Sequence, residues 1–241
     1  MTTPVCHYPE LMLTDIDTWV LDLDNTLYPP STGLADQLNT RIREYLRDFF
    51  DTDDDGARRL QSSLIARHGT TLRGLMTTQG IDPADYLAFE HRIDYSVLRP
   101  DPSLARAIAA LPGRKFVFTN GSAYHVEQAL PRLGLAELFD GSFDIIAGGL
   151  MPKPYPESYQ RFVERFSIDA SRAAMFDDLA HNLVVPRQLG MATIWVTSAA
   201  PGDVEPPRPG DPQYQVIGPG QLRTWDLAAF LHCLEGLAFT P

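Results

Sequence analysis

The sequence predicts an α/β fold in which a doubly wound parallel sheet is interrupted once by a group of helices. Short apolar runs alternate with helical stretches along most of the chain, and this alternation is typical of a parallel sheet with helices on both faces. The apolar runs are continuous, as expected for strands that are covered on both sides. Residues 31–99 contain only helical patterns. We therefore expect a Rossmann-like core with a helical cap inserted after the first strand.

The overall composition is that of a folded, water-soluble protein of 241 residues, with 44% apolar and 21% charged residues. This length suits one large domain or a domain that carries an inserted module. The chain has 20 Lys and Arg against 31 Asp and Glu, a formal net charge of −11. Because such a chain repels phosphate backbones, polymeric nucleic acid is not an expected partner.

The sequence favours neither a membrane nor an export pathway. No apolar run approaches the roughly 18 residues that span a bilayer, and the first 15 residues lack the layout of a signal peptide. Cys6 and Cys233 lie far apart without metal-type spacing, which gives little support to a disulfide framework or a zinc site. We expect reduced thiols and a cytoplasmic location.

Five short apolar runs are expected to form strands. The first, residues 18–24, ends in two carboxylates and is followed by a loop that contains Pro29 and Pro30. Polar residues or glycine follow each of the others, which is typical of the end of a buried strand. These others are residues 115–119, 143–147, 173–177 and 192–196.

Helical stretches connect these strands and complete the chain. The four between strands are residues 103–111, 122–133, 156–166 and 179–189, and a final amphipathic helix is expected over 225–237. Pro131 and Pro186 fall late in two of them and should kink or end those helices. Residues 199–220 contain six prolines and four glycines, which predicts an extended, weakly ordered surface loop.

The insertion carries its own helical patterns. One apolar face is formed by Leu34, Leu38, Ile42, Leu46 and Phe49, at spacings of three and four residues. Leu60, Leu64 and Ile65 begin a second helix, and Pro83 suits the first turn of a third that runs to about Ile93. Pro29-Pro30 and Pro100-Asp101-Pro102 are the expected hinges. The core is thus predicted to comprise 1–30 and 100–241, and the cap 31–99.

Polar side chains follow four of the predicted strands. Functional groups of a parallel sheet gather at the carboxyl ends of its strands. In chain order these residues are Asp22 and Asp24, Thr119 and Asn120, Lys153, and Asp177 with Asp178. Each alone is a weak signal, but together they predict an active site at one edge of the sheet.

This order of residues resembles the four motifs of the haloacid dehalogenase superfamily, over a span from Trp19 to Val196. Four segments further resemble the pyrimidine 5′-nucleotidase branch. They are DLDNTLYPP, Arg67-His-Gly-Thr-Thr-Leu-Arg-Gly-Leu75, Phe118-Thr-Asn-Gly121 and Met175-Phe-Asp-Asp-Leu-Ala-His-Asn-Leu183. The resemblance implies a Mg²⁺-dependent phosphomonoesterase that acts on a small phosphorylated metabolite.

The resemblance also implies a role for each carboxylate. Asp22 would attack phosphorus to form an aspartyl-phosphate. Asp24 would protonate the leaving oxygen and then deprotonate the attacking water. The implied Mg²⁺ ligands are Asp22, the backbone carbonyl of Asp24, and Asp178. Asp177 is assigned to the surroundings of the metal, and the amide of Asn182 could orient a metal-bound water.

A phosphomonoester dianion repels an anionic nucleophile, so the site needs positive charge. Mg²⁺ and Lys153 can supply that charge, and Mg²⁺ prefers oxygen ligands. By the same resemblance, the Thr119 hydroxyl and the Asn120 backbone N–H would hold phosphoryl oxygens.

Residues at the hinge and in the insertion are candidates for substrate contact: Tyr28, His68, Thr71 and Arg73. Helical packing or capping is the favoured explanation for each of them. Four histidines, His68, His91, His125 and His181, lack the spacing of helical metal ligands and are expected to be surface or core residues.

Several functions remain open at this point. The favoured substrates are pyrimidine nucleoside 5′-monophosphates such as UMP and CMP, with a broad sugar-phosphate or phosphoglycolate phosphatase as the alternative. A 2-haloacid dehalogenase is disfavoured because Asp24 supplies a second carboxylate. A phospho-accepting signalling domain is disfavoured by the motif order, since the acidic pair Asp177-Asp178 comes last. A catalytically silent binding module is disfavoured because all four chemical positions are filled. The oligomeric state is not predicted.

Overall fold

A computed structural model describes residues 13–197, 214–218 and 220–234 of the chain. Within them, seven strands form one sheet in the order β3-β2-β1-β4-β5-β7-β6. The strands are β1 (Thr18–Leu21), β2 (Arg114–Phe118), β3 (Gly141–Phe143), β4 (Ala173–Asp177), β5 (Ala192–Val196), β6 (Tyr214–Gly218) and β7 (Gln221–Thr224). Six strands are parallel, and β6 pairs antiparallel with β7 at the edge. The predicted doubly wound, Rossmann-like fold is confirmed.

The helices lie between the strands as the alternation predicts. Their bounds are α1 (Leu34–Phe50), α2 (Asp54–His68), α3 (Thr71–Gln79), α4 (Pro83–Glu90), α5 (Pro102–Ala110), α6 (Ala123–Leu133), α7 (Pro156–Phe166), α8 (Val184–Gln188) and α9 (Leu227–Leu234). Helices α1 to α4 all fall between β1 and β2.

Both faces of the sheet are buried. Trp19 and Val20 are adjacent on β1, and each is fully buried in a different apolar cluster. Successive side chains of a strand point to opposite faces, so one cluster lies on each side. Trp19 joins residues of α5, α6 and α9, and Val20 joins residues of α7. This burial on both faces explains why the strands are continuous apolar runs in the sequence.

The inserted helices have an apolar cluster of their own, which includes Leu46, Leu64, Leu75 and Leu87. Ile145, from the loop after β3, belongs to the same cluster, so the insertion packs against the core on the side where the parallel strands end. Two predicted members of its apolar faces are wrong. Phe49 is 44% exposed because it lies in the last turn of α1, and Ile65 is 45% exposed because it is turned by about 100° from the buried Leu64 on α2.

The insertion also contains one helix more than predicted. Gly69, with φ +84°, ends α2, and Thr70 then caps α3 by accepting a hydrogen bond from the Arg73 backbone N–H. Helix α4 ends at Glu90 rather than near Ile93. The His91 ring lies 2.9 Å from the Leu87 carbonyl oxygen, where it occupies an acceptor at the helix end.

Several boundaries in the core differ from prediction. Strand β3 ends at Phe143 rather than at residue 147, because the Asp144 carboxylate accepts hydrogen bonds from two backbone N–H groups and stabilises a turn. The helix expected over 179–189 is a 3-10 turn, Ala180–Leu183, followed by the short α8.

The two prolines have different effects. Pro131 lies inside α6, which ends two residues later at Leu133, before Gly134 with φ +72°. Pro186 lies in the first turn of α8, where its missing N–H has no intrahelical partner to lose.

The C-terminal prediction was partly wrong. Residues 214–218 form β6 rather than a weakly ordered loop, while 199–213 lie outside the described residues. The final helix covers Leu227–Leu234, and 235–237 also lie outside them. Among the residues that the structure describes, no helix has the length and apolar character to cross a bilayer.

Candidate active site

The strand order brings the predicted site residues to one edge of the sheet. β1 lies between β2 and β4, and its last residue, Leu21, pairs with Val117 and Phe176. The residues that follow these three partners therefore emerge side by side. They include Asp22, Thr119 and Asp177, all of which are buried. Three motifs that are distant in sequence thus meet at the carboxyl edge.

Lys153 links three parts of this edge. Its Nζ donates hydrogen bonds to Asp22 Oδ1 at 2.7 Å, to Asp177 Oδ2 at 2.6 Å, and to the Phe118 carbonyl oxygen at 2.9 Å. Burial alone would lower the pKa of Lys153, but Asp177 and Asp22 outweigh it and raise that pKa above its ordinary value. Lys153 is therefore a permanent cation at the base of the site.

Asp22 is a buried carboxyl group with more negative than positive neighbours. Burial raises its pKa, Lys153 opposes this effect, and Asp177, Asp24 and Asp178 add to it. The Thr26 hydroxyl donates to Asp22 Oδ2 at 3.2 Å. An additional cation would favour the ionised form that a nucleophile needs.

Asp22, Asp177 and Asp178 form an acidic cluster whose ligand atoms lie within 4.8 Å of one another. Their environments differ. Asp177 Oδ1 accepts hydrogen bonds from the Leu179 backbone N–H and the Asn182 amide, each at 2.9 Å. Asp178 Oδ2 accepts one from the Asn25 amide at 3.3 Å. Asp177 is therefore held by the protein, and Asp178 is the more available ligand.

The cluster suits a divalent cation. Its donors are carboxylate oxygens, which Mg²⁺ prefers, and Lys153 balances only part of their charge. Burial and the neighbouring Asp177 raise the pKa of Asp178 to about 6. The three carboxylates outnumber the cation Lys153 beside them, so the residues present fit the predicted Mg²⁺ site. Asn182 contacts Asp177, on the protein side of the cluster.

Asp24 faces a different set of partners from Asp22. Its Oδ1 accepts hydrogen bonds from the Tyr28 hydroxyl and from His125 Nε2, the latter at 2.7 Å. Burial tends to raise the pKa of Asp24, but His125, Tyr28 and His91 together outweigh it and hold the pKa below its ordinary value. Tyr28 is 3% exposed and its hydroxyl contacts Asp24; substrate contact by Tyr28 stays a prediction.

The predicted phosphate-binding residues surround Lys153. Thr119 is 1% exposed, and its Oγ1 accepts from the Gly121 backbone N–H at 2.9 Å. The Asn120 side chain accepts from the Lys153 backbone N–H at 2.7 Å and donates to the Lys153 carbonyl at 3.3 Å. These paired bonds fix the loop that carries Lys153 to the end of β2.

Arg73 brings the insertion close to the same loop. Its guanidinium lies 4.3 Å from the centre of the Tyr155 ring and contacts Met151 Sδ. His68 is the half-buried last residue of α2, and its side chain makes no hydrogen bond to the described residues. Thr71 is buried at the start of α3. Substrate contact by these residues remains a prediction.

The sequence did not predict that one of two buried histidines contacts Asp24. His91 and His125 are core residues, 3% and 0% exposed, and their rings stack with centroids 4.8 Å apart. His125 nevertheless contacts Asp24. It lies in the first turn of the helix after β2, and such a turn lies at the functional edge of a parallel sheet. The position of His125 just after β2 was therefore the feature of the sequence that could have predicted this contact.

The fold and the carboxylates around Lys153 define a class of α/β enzymes that act on a group held at the carboxyl edge of a parallel sheet. The chain belongs to the haloacid dehalogenase-like hydrolase family, whose sequence model matches residues 16–190. This membership confirms the superfamily resemblance.

Two curated relatives have names that refer to phosphate chemistry. Phosphate metabolism protein 8 of Saccharomyces cerevisiae is 28% identical over 191 residues, which is 72% of this chain and 59% of that protein. Probable phosphatase IndB of Dickeya dadantii is 32% identical over 99 residues, which is 40% of this chain and 43% of that protein. The chain thus matches about half the length of each.

A solved structure supports the fold. The crystal structure of a phosphatase of this superfamily from Thermococcus onnurineus aligns with a TM-score of 0.53 at 19% identity. The alignment covers 79% of this chain and 89% of that one. The likeness confirms a shared architecture.

Proposed function

We propose that the protein is a Mg²⁺-dependent phosphomonoesterase that works through an aspartyl-phosphate on Asp22. The observation that carries this proposal is the second carboxylate, Asp24, which His125 and Tyr28 hold beside the nucleophile. A displacement of halide requires no proton on the leaving group, whereas the departure of an alkoxide does. Asp24 therefore favours phosphate esters over haloacids as substrates.

In the first half of the proposed reaction, Asp22 attacks phosphorus as the bond to the leaving oxygen breaks. A proton from Asp24 passes to that oxygen and produces the alcohol. The pKa of Asp24 is low in the resting site, but a phosphate dianion beside it raises the pKa of a carboxyl group. Substrate binding thus favours the protonated form that this half of the reaction uses.

In the second half, the Asp24 carboxylate accepts a proton from water, and the resulting hydroxide attacks phosphorus. The bond between phosphorus and Asp22 breaks, which releases phosphate and restores the Asp22 carboxylate, while Asp24 keeps the proton that it gives to the next leaving group. Lys153, 2.7 Å from Asp22, stabilises negative charge in both halves. When bound by Asp22, Asp178 and the Asp24 carbonyl, Mg²⁺ supplies the remaining positive charge for the phosphoryl oxygens.

Substrate selection would belong to the inserted helices. We propose that residues 31–99 act as a cap over a core of 1–30 and 100–241. Arg73 supports this because it lies over Tyr155, two residues beyond Lys153. The segments that resemble the pyrimidine nucleotidase branch make UMP and CMP the preferred substrates, with sugar phosphates or phosphoglycolate as the alternative.

Initial rates with p-nitrophenyl phosphate and a panel of phosphomonoesters test the proposal. The wild-type protein should hydrolyse them with Mg²⁺ and lose this activity in excess EDTA. Asp22→Asn should remain folded and lose turnover, because an amide of the same shape cannot attack phosphorus. Asp48→Asn is the matched control, since Asp48 is an exposed residue of α1. Full activity in EDTA, or in a folded Asp22→Asn variant, would refute the mechanism.

A further inference from the structure

Asp24 is held through one of its two carboxylate oxygens. Both the Tyr28 hydroxyl and His125 Nε2 contact Oδ1. Within the described part of the chain, Oδ2 accepts no hydrogen bond. Since a carboxylate only accepts hydrogen bonds, Nε2 must carry the hydrogen in this pair. The arrangement fixes one oxygen and leaves the other for a reacting group.

His125 is itself held from its other side. Its Nδ1 lies 2.9 Å from the Tyr95 hydroxyl oxygen, and the ring is fully buried. The His91 ring stacks on it at 4.8 Å, and His91 Nδ1 lies 3.2 Å from the Ser122 hydroxyl. A buried ring with partners at both nitrogens cannot rotate without losing two hydrogen bonds. Its orientation is therefore fixed.

This chain of contacts joins the two parts of the molecule. Asp24 follows β1 and His125 lies on α6, both in the core. Tyr95 lies in the segment that leads from the inserted helices back to α5, and His91 directly follows α4. The orientation of Asp24 thus depends on residues contributed from the insertion side.

We infer that His125 is the positioning residue for Asp24, and that Tyr95 fixes His125 in that role. The inference rests on the proposed phosphatase function, in which Asp24 exchanges a proton with the leaving oxygen. His125 and Tyr28 turn Oδ2 toward the leaving group. In the forward step the proton leaves Oδ2 for the departing oxygen as that oxygen separates from phosphorus. His125 keeps its own hydrogen on Nε2, directed at Oδ1, and is unchanged.

The experiment compares kcat/KM for substrates with good and poor leaving groups. These are p-nitrophenyl phosphate and whichever of UMP, ribose 5-phosphate or phosphoglycolate the wild-type enzyme hydrolyses best. The ratio kcat/KM reports the steps up to formation of the aspartyl-phosphate, so the later water-activating role of Asp24 does not enter. A nitrophenolate can leave without a proton, whereas an alkoxide cannot.

His125→Leu should lower kcat/KM for the alkyl phosphate by roughly 10- to 100-fold, with a change of less than about threefold for p-nitrophenyl phosphate. His125→Gln should restore most of the loss, because its amide can donate from near the position of Nε2. Tyr95→Phe should show a smaller loss of the same kind. Tyr45→Phe is the matched control for Tyr95→Phe, since it removes a hydroxyl of the insertion whose ring packs against Tyr86 and Phe89 rather than His125, and it should leave the ratio unchanged.

The outcomes separate this inference from the proposed function. A wild-type protein inactive on every phosphomonoester would refute the phosphatase function and the inference with it. An active wild type in which His125→Leu and Tyr95→Phe lose nothing, or lose activity equally on both substrates, would overturn the positioning role alone. If His125→Leu does not fold, as judged by circular dichroism, the same comparison in Tyr95→Phe decides between these outcomes.

Discussion

Asp177 and Asp178 are adjacent residues with opposite surroundings. Asp177 is fully buried and receives hydrogen bonds from Lys153, the Leu179 backbone and Asn182. Asp178 is partly exposed, and its carboxylate contacts only the Asn25 amide among the described residues. The first residue belongs to the framework of the site, and the second is available to a metal ion.

We therefore predict different effects of removing each charge. Asp178→Asn should raise the Mg²⁺ concentration needed for half-maximal activity more than Asp177→Asn does. Asp177→Asn should instead lower the free energy of unfolding, by about 2 kcal/mol, because hydrogen bonds to a buried charge are lost. Mg²⁺ titration of activity and urea denaturation in EDTA measure the two effects. If Asp177→Asn had the larger effect on the Mg²⁺ requirement and Asp178→Asn the larger effect on stability, Asp177 would be the metal ligand and Asp178 the structural residue.

The sequence identified the residues that lie at strand ends and missed those that depend on tertiary contacts. Asp22 and Lys153 were predictable because the motif order places each of them at the same edge of the sheet. The hydrogen bond between His125 and Asp24 joins residues 101 positions apart. The spacing of the histidines in the sequence therefore does not predict it. The placement of Tyr28 on Asp24 was missed for a related reason, since a loop conformation sets it.

At the level of elements, the start of β2 depends on a close approach of two backbones. The Arg114 N–H donates to the Asp17 carbonyl oxygen at 2.8 Å, beside the first residue of β1. Gly113 has φ +72°, and a Cβ there would lie 2.1 Å from that oxygen. Gly33, before α1, has φ +74°, and no heavy atom lies within 4 Å of the position that a Cβ would take there.

Substitutions at these two glycines distinguish the cost of a left-handed backbone, which both share, from the cost of a steric clash, which only Gly113 has. Gly33→Ala should lower the free energy of unfolding by about 1 kcal/mol, from the cost of a left-handed conformation alone. Gly113→Ala should cost several kcal/mol, on the order of 3, because two strands must also move apart. Urea denaturation of both variants measures the difference. Equal losses of unfolding free energy would show that a Cβ at residue 113 fits between the backbones where β1 and β2 begin.

The predicted elements were reliable where hydrophobic pattern determines them. Strands β4 and β5 and helix α7 have the predicted bounds, because each is a short buried run or a strongly amphipathic stretch. The separate helix α3 was missed because a single positive-φ glycine, Gly69, divides the insertion there. The strand β6 was missed because its pairing with β7 decides it, and the surrounding prolines and glycines favour a loop.

At the scale of the whole molecule, the charge of Asp178 opposes folding in the absence of metal. The pKa of Asp178 is about 6 in the folded protein, against an ordinary value of 3.8. A carboxyl group whose pKa is raised on folding destabilises the fold once it ionises, so stability is lost as pH rises through this window. Bound Mg²⁺ should reverse the effect, since it favours the charged form.

We predict that Asp178→Asn stabilises the metal-free protein by an amount that grows between about pH 4 and pH 7. The variant lacks the charge that the folded site disfavours, and it also removes the repulsion by which Asp178 raises the pKa of Asp22, so both effects act in the same direction. The measurement is the difference in Tm between variant and wild type in EDTA across this range, with Asp48→Asn as the control. In saturating Mg²⁺ the wild type should have the higher Tm of the two proteins. A pH-independent difference would contradict this account.

The last prediction concerns how the inserted helices select a substrate. In the proposed mechanism the core residues bind phosphate and metal, whereas Arg73 reaches from α3 to Tyr155 beside the loop of Lys153. If the nucleotidase proposal is right, kcat/KM should be much higher for UMP and CMP than for AMP, GMP or phosphoglycolate. Arg73→Ala and His68→Ala should reduce this preference by roughly ten- to hundredfold, the effect of one lost hydrogen bond of about 1 to 3 kcal/mol, with little change for p-nitrophenyl phosphate. Arg67→Ala, an exposed neighbour on α2, should leave the preference intact. Equal rates on purine and pyrimidine nucleotides, or a preference for phosphoglycolate, would refute the nucleotidase assignment and leave a phosphatase of another specificity.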